Sequence, residues 1–267
     1  MTFEKFADRL AEAVSEILND APVMIKSDEE YRVRGITFNP ARLYIDMIKS
    51  DGKMSIEDIA LNITAEAIEK NGYFKKYREV RQHNFPRIVN SSIGEKLIKN
   101  GLAAVKMLDF IIVFAIKDGN DEELITDTKM RLWGITARQV FNDCIITAEK
   151  TDPVILKKVQ GSCFYMLTNR EQCFGASAML YGLTLHEFAR EYGNCYIVPV
   201  SKDGVILVPE GNLILRDISP EAVEKQLKEG NKKLPAEDRI SDYLYYYDRD
   251  AYTMKIVRYA KEASYAA

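Results

Sequence analysis

The most concentrated set of side chains that could do chemistry is the tyrosine-rich run at residues 242–250 (DYLYYYDRD). If this run is a strand, Tyr243, Tyr245 and Tyr247 lie on one face, because side chains alternate along a strand. Such a face could be an aromatic platform for a base, a sugar or a peptide, with Arg249 as an anion contact. The alternative, which we favour, is cross-strand aromatic packing with the tyrosine hydroxyl groups at the rim.

Residues 201–204 (SKDG) bring together a hydroxyl, an amine and a carboxylate, which are the groups of many hydrolase sites. The run lacks the glycines of a nucleophile elbow, and Asp-Gly between two apolar strands is typical of a hairpin turn. The two common glycine-rich phosphate-binding motifs are absent from the sequence. The sequence therefore predicts a turn at 201–204, no catalytic residue and no cofactor.

The residues that most often bind transition metals are few and scattered. They are His83, His186, Cys144, Cys163, Cys173 and Cys195. The cysteines show no CxxC spacing and neither histidine lies near a cysteine pair, so no metal site is predicted. Because the cysteines lie in apolar stretches, we expect reduced, buried thiols.

Composition bounds the class of protein. The 267 residues are 47% hydrophobic and 29% charged, and the formal net charge is −3. A folded core is expected, and no global basic field is available to attract nucleic acid or anionic lipid. The acidic N-terminal stretch lacks the apolar segment of a signal peptide, and the apolar run at 110–116 is too short to span a bilayer. We therefore expect a soluble, cytoplasmic protein with neither a nucleic-acid nor a membrane partner.

The elements that position these residues begin with helical spacing. Apolar residues three and four apart predict a helix from Phe3 to Leu18, and alternation on either side of residues 27–30 predicts a hairpin. Helical spacing returns over 41–79. The sequence predicts a helical N-terminal part with one hairpin over residues 1–104 and an α+β sheet domain over 105–267, packed together as one unit.

A strand, turn, strand, helix rhythm follows residue 108. The predicted strands of its three units are FIIVFAI with LITDTKMRLW, CFYMLT with CFGASAMLY, and CYIVPV with VILVPE. The following helices are expected to begin at Thr136, Thr184 and Ser219, and a last hairpin closes the sequence. We therefore predict an α+β fold with a mostly antiparallel sheet and helices on one face.

Two of these helices follow nearly identical corners, LWGIT at 132–136 and LYGLT at 180–184. Gln139 lies three residues after Thr136, and Glu187 lies three residues after Thr184, which is the spacing of a capping box. The glycine of each corner stands where positive φ is often needed. The repeated motif is therefore interpreted as a structural corner rather than as an active site.

Three stretches resemble a known family. YMLTNREQCFGASAMLYG (165–182), YIVPVSKDGVILVP (196–209) and ISDYLYYYDRD (240–250) are similar to uncharacterised bacterial domain-of-unknown-function proteins of Gram-positive anaerobes, related to the YtpQ-like family. The resemblance also takes in the first helix and the LWGIT corner, so it spans nearly the whole chain. It implies a family but no mechanism.

One departure from that family bears on catalysis. Relatives in the YtpQ-like branch tend to carry Pro-Ser-Ser-Ile-His-Glu where this chain has PVSKDG at 199–204. Their histidine and glutamate positions are Asp203 and Gly204 here. The resemblance therefore implies that acid/base chemistry, if this segment supports it in relatives, is lost in this member.

Together these features favour a non-catalytic binding or interaction module. Another protein or a peptide is the expected partner, since the terminal hairpin could leave an edge strand that pairs with an extended segment. The alternative is an enzyme that acts on a small metabolite in a site between the helical part and the sheet. The sequence leaves the oligomeric state open.

Overall fold

The computed structural model describes residues 1–18, 23–25, 30–33, 36–71, 77–118, 121–215 and 217–259. Contacts between Cα atoms divide the chain into two compact units. Unit 1 comprises Met1–Glu79 and Arg131–Gly134, and unit 2 comprises Val80–Met130 and Ile135–Ala267.

Both helices and strands occur throughout the chain. The α-helices are α1 (Phe3–Leu18), α2 (Pro40–Lys49), α3 (Ile56–Asn71), α4 (Tyr77–Val80), α5 (Ser91–Lys99), α6 (Asp127–Trp133), α7 (Ala137–Thr151), α8 (Thr184–Tyr192), α9 (Glu210–Leu215) and α10 (Pro220–Asn231). The strands are β1 (Val23–Ile25), β2 (Glu30–Val33), β3 (Ile36–Phe38), β4 (Asn84–Asn90), β5 (Ala104–Met107), β6 (Phe110–Asp118), β7 (Asp121–Leu124), β8 (Val154–Lys158), β9 (Tyr165–Asn169), β10 (Cys195–Ser201), β11 (Gly204–Pro209), β12 (Tyr245–Asp248) and β13 (Thr253–Ile256). Short 3₁₀ helices span Arg81–His83, Gly175–Leu180 and Ala236–Asp238.

Unit 1 packs α1, α2 and α3 with a three-stranded sheet of order β1-β2-β3. Phe6, Leu10 and Val14 recur every four residues along α1 and are fully buried in its core, as the helical spacing predicts. The Asn39 side chain accepts the Arg42 N–H at 2.9 Å and begins α2. The predicted first helix and the β1-β2 hairpin are present in the structure.

The predicted boundary between residues 104 and 105 falls within β5. In the structure, β4 and β5 both pair with β6, so strands before and after that position belong to one sheet. The two compact units divide between Glu79 and Val80. The sequence pattern at 73–104 did not reveal β4. This strand is buried by its pairing with β6, which lies later in the chain, and not by a neighbouring hairpin partner.

Unit 2 contains two antiparallel sheets. One has the order β4-β6-β5 with β7 also paired to β6, and the other has the order β13-β12-β10-β11-β9-β8. The long central strand β6 is buried from Phe110 to Ile116, and α7 packs against β4, β5 and β6. The α+β class with a helical N-terminal part is confirmed, and every pairing among the described strands is antiparallel.

The three repeated units agree with the structure to different degrees. The third is present as β10, β11 and a helix from Pro220. In the first, the strand predicted at 124–133 is wrong, because the Thr126 hydroxyl accepts the Lys129 N–H at 3.2 Å and begins α6. In the second, the strand predicted at 173–181 is wrong, because its small residues form a buried 3₁₀ helix beneath β9 and β11.

The two corners also differ from each other. Thr136 makes a complete capping box: its N–H donates to Gln139 Oε1 at 2.8 Å, and its hydroxyl accepts the Gln139 N–H at 3.3 Å. Thr184 is instead the first residue of α8, the N-cap position is Leu183, and no side chain caps the helix. The capping box predicted at Thr184 is therefore wrong, although a helix begins there.

Candidate functional site

The predicted tyrosine platform lies on the terminal hairpin, where β12 pairs with β10 and β13. Tyr245 is 0% exposed and Tyr247 is 7% exposed, so neither ring presents a face to solvent. Tyr243 precedes the strand and is 45% exposed. The structure thus buries two of the three tyrosines and leaves the third partly exposed.

Tyr245 is bound to the core by its hydroxyl group. This group donates to Asp109 Oδ1 at 2.6 Å, and the ring packs edge-on against Phe110 with centroids 5.8 Å apart. Burial raises the pKa of Tyr245, and the hydrogen bond to Asp109 acts in the same direction. Arg249 lies at the turn, where its N–H donates to Asn194 Oδ1 at 3.0 Å and its guanidinium pairs with Asp250.

The SKDG run is the predicted turn between β10 and β11, with Ser201 opposite Gly204. Its carboxylate is used structurally, because Asp203 Oδ1 accepts the Phe174 N–H at 2.9 Å. The Asp203 carbonyl accepts the Thr168 hydroxyl at 2.7 Å. This turn therefore supports the loop that follows β9.

That loop borders a cavity of about 270 Å³ within unit 2, here called the β9 cavity. Residues from β4, β6, β7, α7, β9 and the neighbouring loops and 3₁₀ helices line it. They are Gln82, His83, Asn84, Phe85, Pro86, Lys117, Glu122, Ala148, Thr151, Asp152, Asn169, Glu171, Cys173, Phe174, Ser177 and Tyr181. The lining thus joins residues from both sides of the predicted 104/105 boundary.

The Cys173 segment of the lining is held by its backbone. Asn169 Nδ2 donates to the Cys173 carbonyl at 2.8 Å, and Asn169 Oδ1 accepts the Cys173 N–H at 3.2 Å. Gln172 and Phe174 have backbone φ angles of 53° and 50°, a left-handed conformation that residues other than glycine rarely adopt. The two hydrogen bonds from Asn169 are here called the Asn169 clamp. Cys173 is exposed, so this clamp holds it at the surface of the cavity.

An arginine covers the Phe174 ring. The guanidinium carbon of Arg87 lies 3.9 Å from the ring centroid, and the same guanidinium pairs with Glu122. Burial lowers the pKa of Arg87, and the nearby Cys173 sulfur partly offsets this effect. The loop is therefore held by a cation–π contact as well as by hydrogen bonds.

The inner wall of the cavity is polar although it is buried. Asn84, Asn169, Ser177 and Tyr181 are each at most 3% exposed. Burial raises the pKa of Tyr181 to about 12, and a hydrogen bond with Ser177 acts in the opposite direction. Polar side chains that line a small cavity are able to fix the orientation of a bound molecule.

The charged groups of the lining are three carboxylates and one lysine. Lys117 Nζ pairs with Glu171 Oε2 at 2.5 Å, and Glu122 pairs with Arg87. Asp152 Oδ1 accepts the Glu171 N–H at 3.0 Å. Burial raises the pKa of Asp152, and this effect outweighs the hydrogen bond from Glu171.

Two properties of the described residues concern metal binding and membrane insertion. Among the residues that the structure describes, no three His, Cys, Asp or Glu side chains come together in a group that could hold a metal ion. Over the same part of the chain, no helix combines the length and the apolar character that crossing a bilayer requires.

Sequence reasoning did not find the β9 cavity, because its lining is dispersed over a hundred residues of chain. The one local signal is the polar run at 169–173 (NREQC), which directly follows a buried strand. The strand, turn, strand pattern predicts only a turn at 169–172. The contribution of 82–86 and of Asp152 has no local signature.

Comparison with known proteins supports the coarser part of the expected resemblance. No curated protein and no solved structure matches the chain. Origin in Gram-positive anaerobes and a relation to the YtpQ-like family remain predictions. Residues 145–249, which include Asp152, the Cys173 loop and most of the tyrosine-rich run, match the model of a family of unknown function (DUF5688).

Proposed function

We propose that the protein is a binding module that holds a small polar molecule in the β9 cavity. The observation that carries this proposal is the convergence of four buried polar side chains, Asn84, Asn169, Ser177 and Tyr181, on one cavity. Amide and hydroxyl groups can take part in more than one hydrogen bond, so these side chains can bind a ligand in addition to their partners within the protein. The aromatic rings beside them would cover the apolar part of that ligand.

A thermal-shift screen of small metabolites tests this proposal. A ligand that binds the native state alone should raise Tm by about 5 °C or more at a concentration roughly a hundredfold above its Kd. Cys173→Phe would place a ring in the cavity, and the Asn169 clamp should persist because it binds the backbone of residue 173. The Tm shift should therefore disappear in Cys173→Phe and persist in Cys173→Ser. A shift that is equal in both variants would contradict binding in this cavity.

The second candidate function is an enzyme that acts on a small metabolite in the same cavity. It is supported by the exposed Cys173 thiol and by His83, which share the lining. A thiol nucleophile needs a nearby base, and histidine is the usual one. Cys173→Ser separates the two functions. If the protein is an enzyme, the wild type converts the ligand and the variant does not; if it is a binding module, neither the wild type nor the variant changes the ligand chemically.

A protein or peptide partner at the terminal hairpin remains a separate prediction. β13 lies at one edge of the six-stranded sheet, and an edge strand can pair with an extended segment. Tyr243 is the exposed tyrosine of the run, and Arg249 lies at the turn before β13. Capture of a partner should weaken in a Tyr243→Ala, Arg249→Ala variant, and unchanged capture would contradict a role for these two residues.

A bacterial, cytoplasmic location is part of the proposal. Its support is the burial of Cys144 and Cys195, since buried cysteines in apolar surroundings behave as reduced thiols. Reducing compartments keep thiols in this state. Fractionation of cells with an antibody against the protein would test this location.

A further inference from the structure

The charges around the β9 cavity are unequally matched. Of the carboxylates in the lining, Glu171 is paired with Lys117 at 2.5 Å and Glu122 is paired with Arg87. Among the described residues, Asp152 takes part in none of the ion pairs within 4.0 Å. Arg170 attracts Asp152 less strongly than burial disfavours the charge of Asp152, and the Arg170 guanidinium donates to the carbonyl of Thr151 at 2.5 Å.

Asp152 lacks part of the solvation that a carboxylate needs. Asp152 is the C-cap residue of α7, where it is partly buried; its carboxylate accepts the backbone N–H of Glu171, and the backbone N–H of Arg170 also favours the charged form. Burial without a directly paired countercharge disfavours the charged form of a carboxyl group. A cation in the cavity would supply both the missing charge and further hydrogen-bond donors.

The rest of the lining sets the size and character of the molecule. A volume of 270 Å³ corresponds to about nine water molecules at roughly 30 Å³ each, which is space for a molecule of about ten non-hydrogen atoms. Phe85, Phe174 and Tyr181 provide aromatic surface, and aromatic rings attract cations as well as apolar groups.

We propose that the β9 cavity selects a small molecule that carries a protonated amine next to an apolar or aromatic body, with the Asp152 carboxylate as the anchor of the amine. This inference rests on the function proposed above, because it names the ligand class of the same cavity. It places no requirement on Cys173, so it holds for a binding module and for an enzyme alike.

Three probes of nearly equal shape and different charge test the amine requirement. They are phenethylamine, 2-phenylethanol and 3-phenylpropanoate, and their Kd values for the full chain would be measured by titration calorimetry near neutral pH. Phenethylamine should bind at least about tenfold more tightly than the alcohol, and the carboxylate should bind least tightly, because like charges repel.

The variant Asp152→Asn isolates the charge. An asparagine oxygen still accepts the Glu171 N–H, so the loop should keep its structure while the anchoring charge is removed. Phenethylamine should lose about tenfold in affinity and then bind no more tightly than 2-phenylethanol. The control is Glu229→Gln, which removes an exposed carboxylate of α10 outside the cavity and should leave all three Kd values unchanged.

The outcomes separate the ligand class from the function. Equal or tighter binding of the alcohol or of the carboxylate, or unchanged phenethylamine binding to Asp152→Asn, would overturn the amine proposal. Absence of binding by all three probes would overturn it too. In each case the proposed function survives if some metabolite of the thermal-shift screen gives a shift that Cys173→Phe abolishes, and it fails together with the amine proposal if none does.

Discussion

At the scale of single residues, the polar network around Asp109 explains why the tyrosine run is buried. The Asp109 carboxylate accepts the hydroxyl of Tyr245 at one oxygen and the hydroxyl of Ser241 at the other, both at 2.6 Å. The residues are more than a hundred positions apart in sequence. Hydrogen bonds to a charged group are among the stronger ones, so this network fixes the terminal hairpin against the turn between β5 and β6.

We expect Tyr245→Phe to lower the free energy of unfolding by about 1–3 kcal/mol, because Asp109 loses one of its two hydroxyl donors while the ring still fills its space. Urea unfolding would measure the change. The control is Tyr252→Phe, whose ring is 63% exposed and whose loss of a hydroxyl should change stability by less than about 0.5 kcal/mol. Equal effects of the two substitutions would contradict the network.

Tyr181 should make stability depend on alkaline pH. Its folded-state pKa is raised from the ordinary value of 10 to about 12, so between these values the unfolded chain loses the phenolic proton while the folded chain keeps it. The free energy of unfolding should then fall as pH rises, by up to about 1.4 kcal/mol per pH unit from this residue. Unfolding of Tyr181→Phe across the same range should show a shallower fall, and an identical slope would contradict the assignment.

At the scale of elements, the two similar corners show how a local motif is changed by its surroundings. Thr136 caps α7 with its hydroxyl, whereas α8 begins at Thr184 without a side-chain cap. Leu183, the residue before Thr184, is 59% exposed. The glycines behave alike, since Gly134 and Gly182 both have positive φ.

Alanine at the two threonines should therefore give unequal effects. Thr136→Ala should lower the free energy of unfolding by about 1 kcal/mol through loss of the cap, whereas Thr184→Ala should change it by less than about 0.5 kcal/mol. Chemical unfolding of both variants measures the difference. A larger effect at Thr184 would show that the corner is capped there after all.

The 3₁₀ helix next to the β9 cavity depends on a glycine. A Cβ atom at Gly175 would lie 2.1 Å from Thr168 Oγ1 and 2.6 Å from the backbone oxygen of Asp203. We expect Gly175→Ala to lower the free energy of unfolding by about 1–3 kcal/mol, because the backbone of the Asp203 turn must shift.

The matched control for this substitution is Gly230→Ala in α10, where a Cβ would meet no atom within 4 Å. Alanine there should raise the free energy of unfolding by about 0.5–1 kcal/mol, because glycine is a poor helix former. Opposite signs for the two variants in the same unfolding assay are the expected result. Stabilisation by Gly175→Ala would contradict the tight contact.

At the scale of the whole molecule, the cysteines report on how completely the core is closed. Cys144 and Cys195 are fully buried, whereas Cys173 is exposed and Cys163 is half-buried. Burial raises the pKa of Cys144 and raises that of Cys195 to about 12, which removes the reactive thiolate near neutral pH. Two classes of thiol therefore exist in one chain.

A chromogenic disulfide reagent should consequently react rapidly with Cys173, less rapidly with Cys163, and with the other two cysteines only through global unfolding. Quenching the labelling reaction at successive times, followed by mass spectrometry of the peptides, would identify the modified residues. Rapid labelling of Cys144 or Cys195 in the native protein would show that the core opens locally.

Much of the architecture follows from the sequence because its causes are local. The helical spacing of α1, the apolar strands β6, β10 and β11, and the Asp-Gly turn between the last two are fixed by residues within a few positions of one another. The α+β class follows from their order. The strands predicted at 124–133 and 173–181 failed because a threonine cap and close packing of small residues decided those segments instead.

The candidate site is what only the tertiary structure decided. Asp152, Asn169 and Cys173 meet residues 82–86 because β4 pairs with β6 and α7 packs on both strands, contacts that no short stretch encodes. The same long-range packing determines that Tyr245 faces the core and donates to Asp109 rather than facing solvent. The sequence alone thus determined the elements and their class, and the packing of distant elements determined which polar side chains converge and which become buried, because burial depends on neighbours that are remote in the chain.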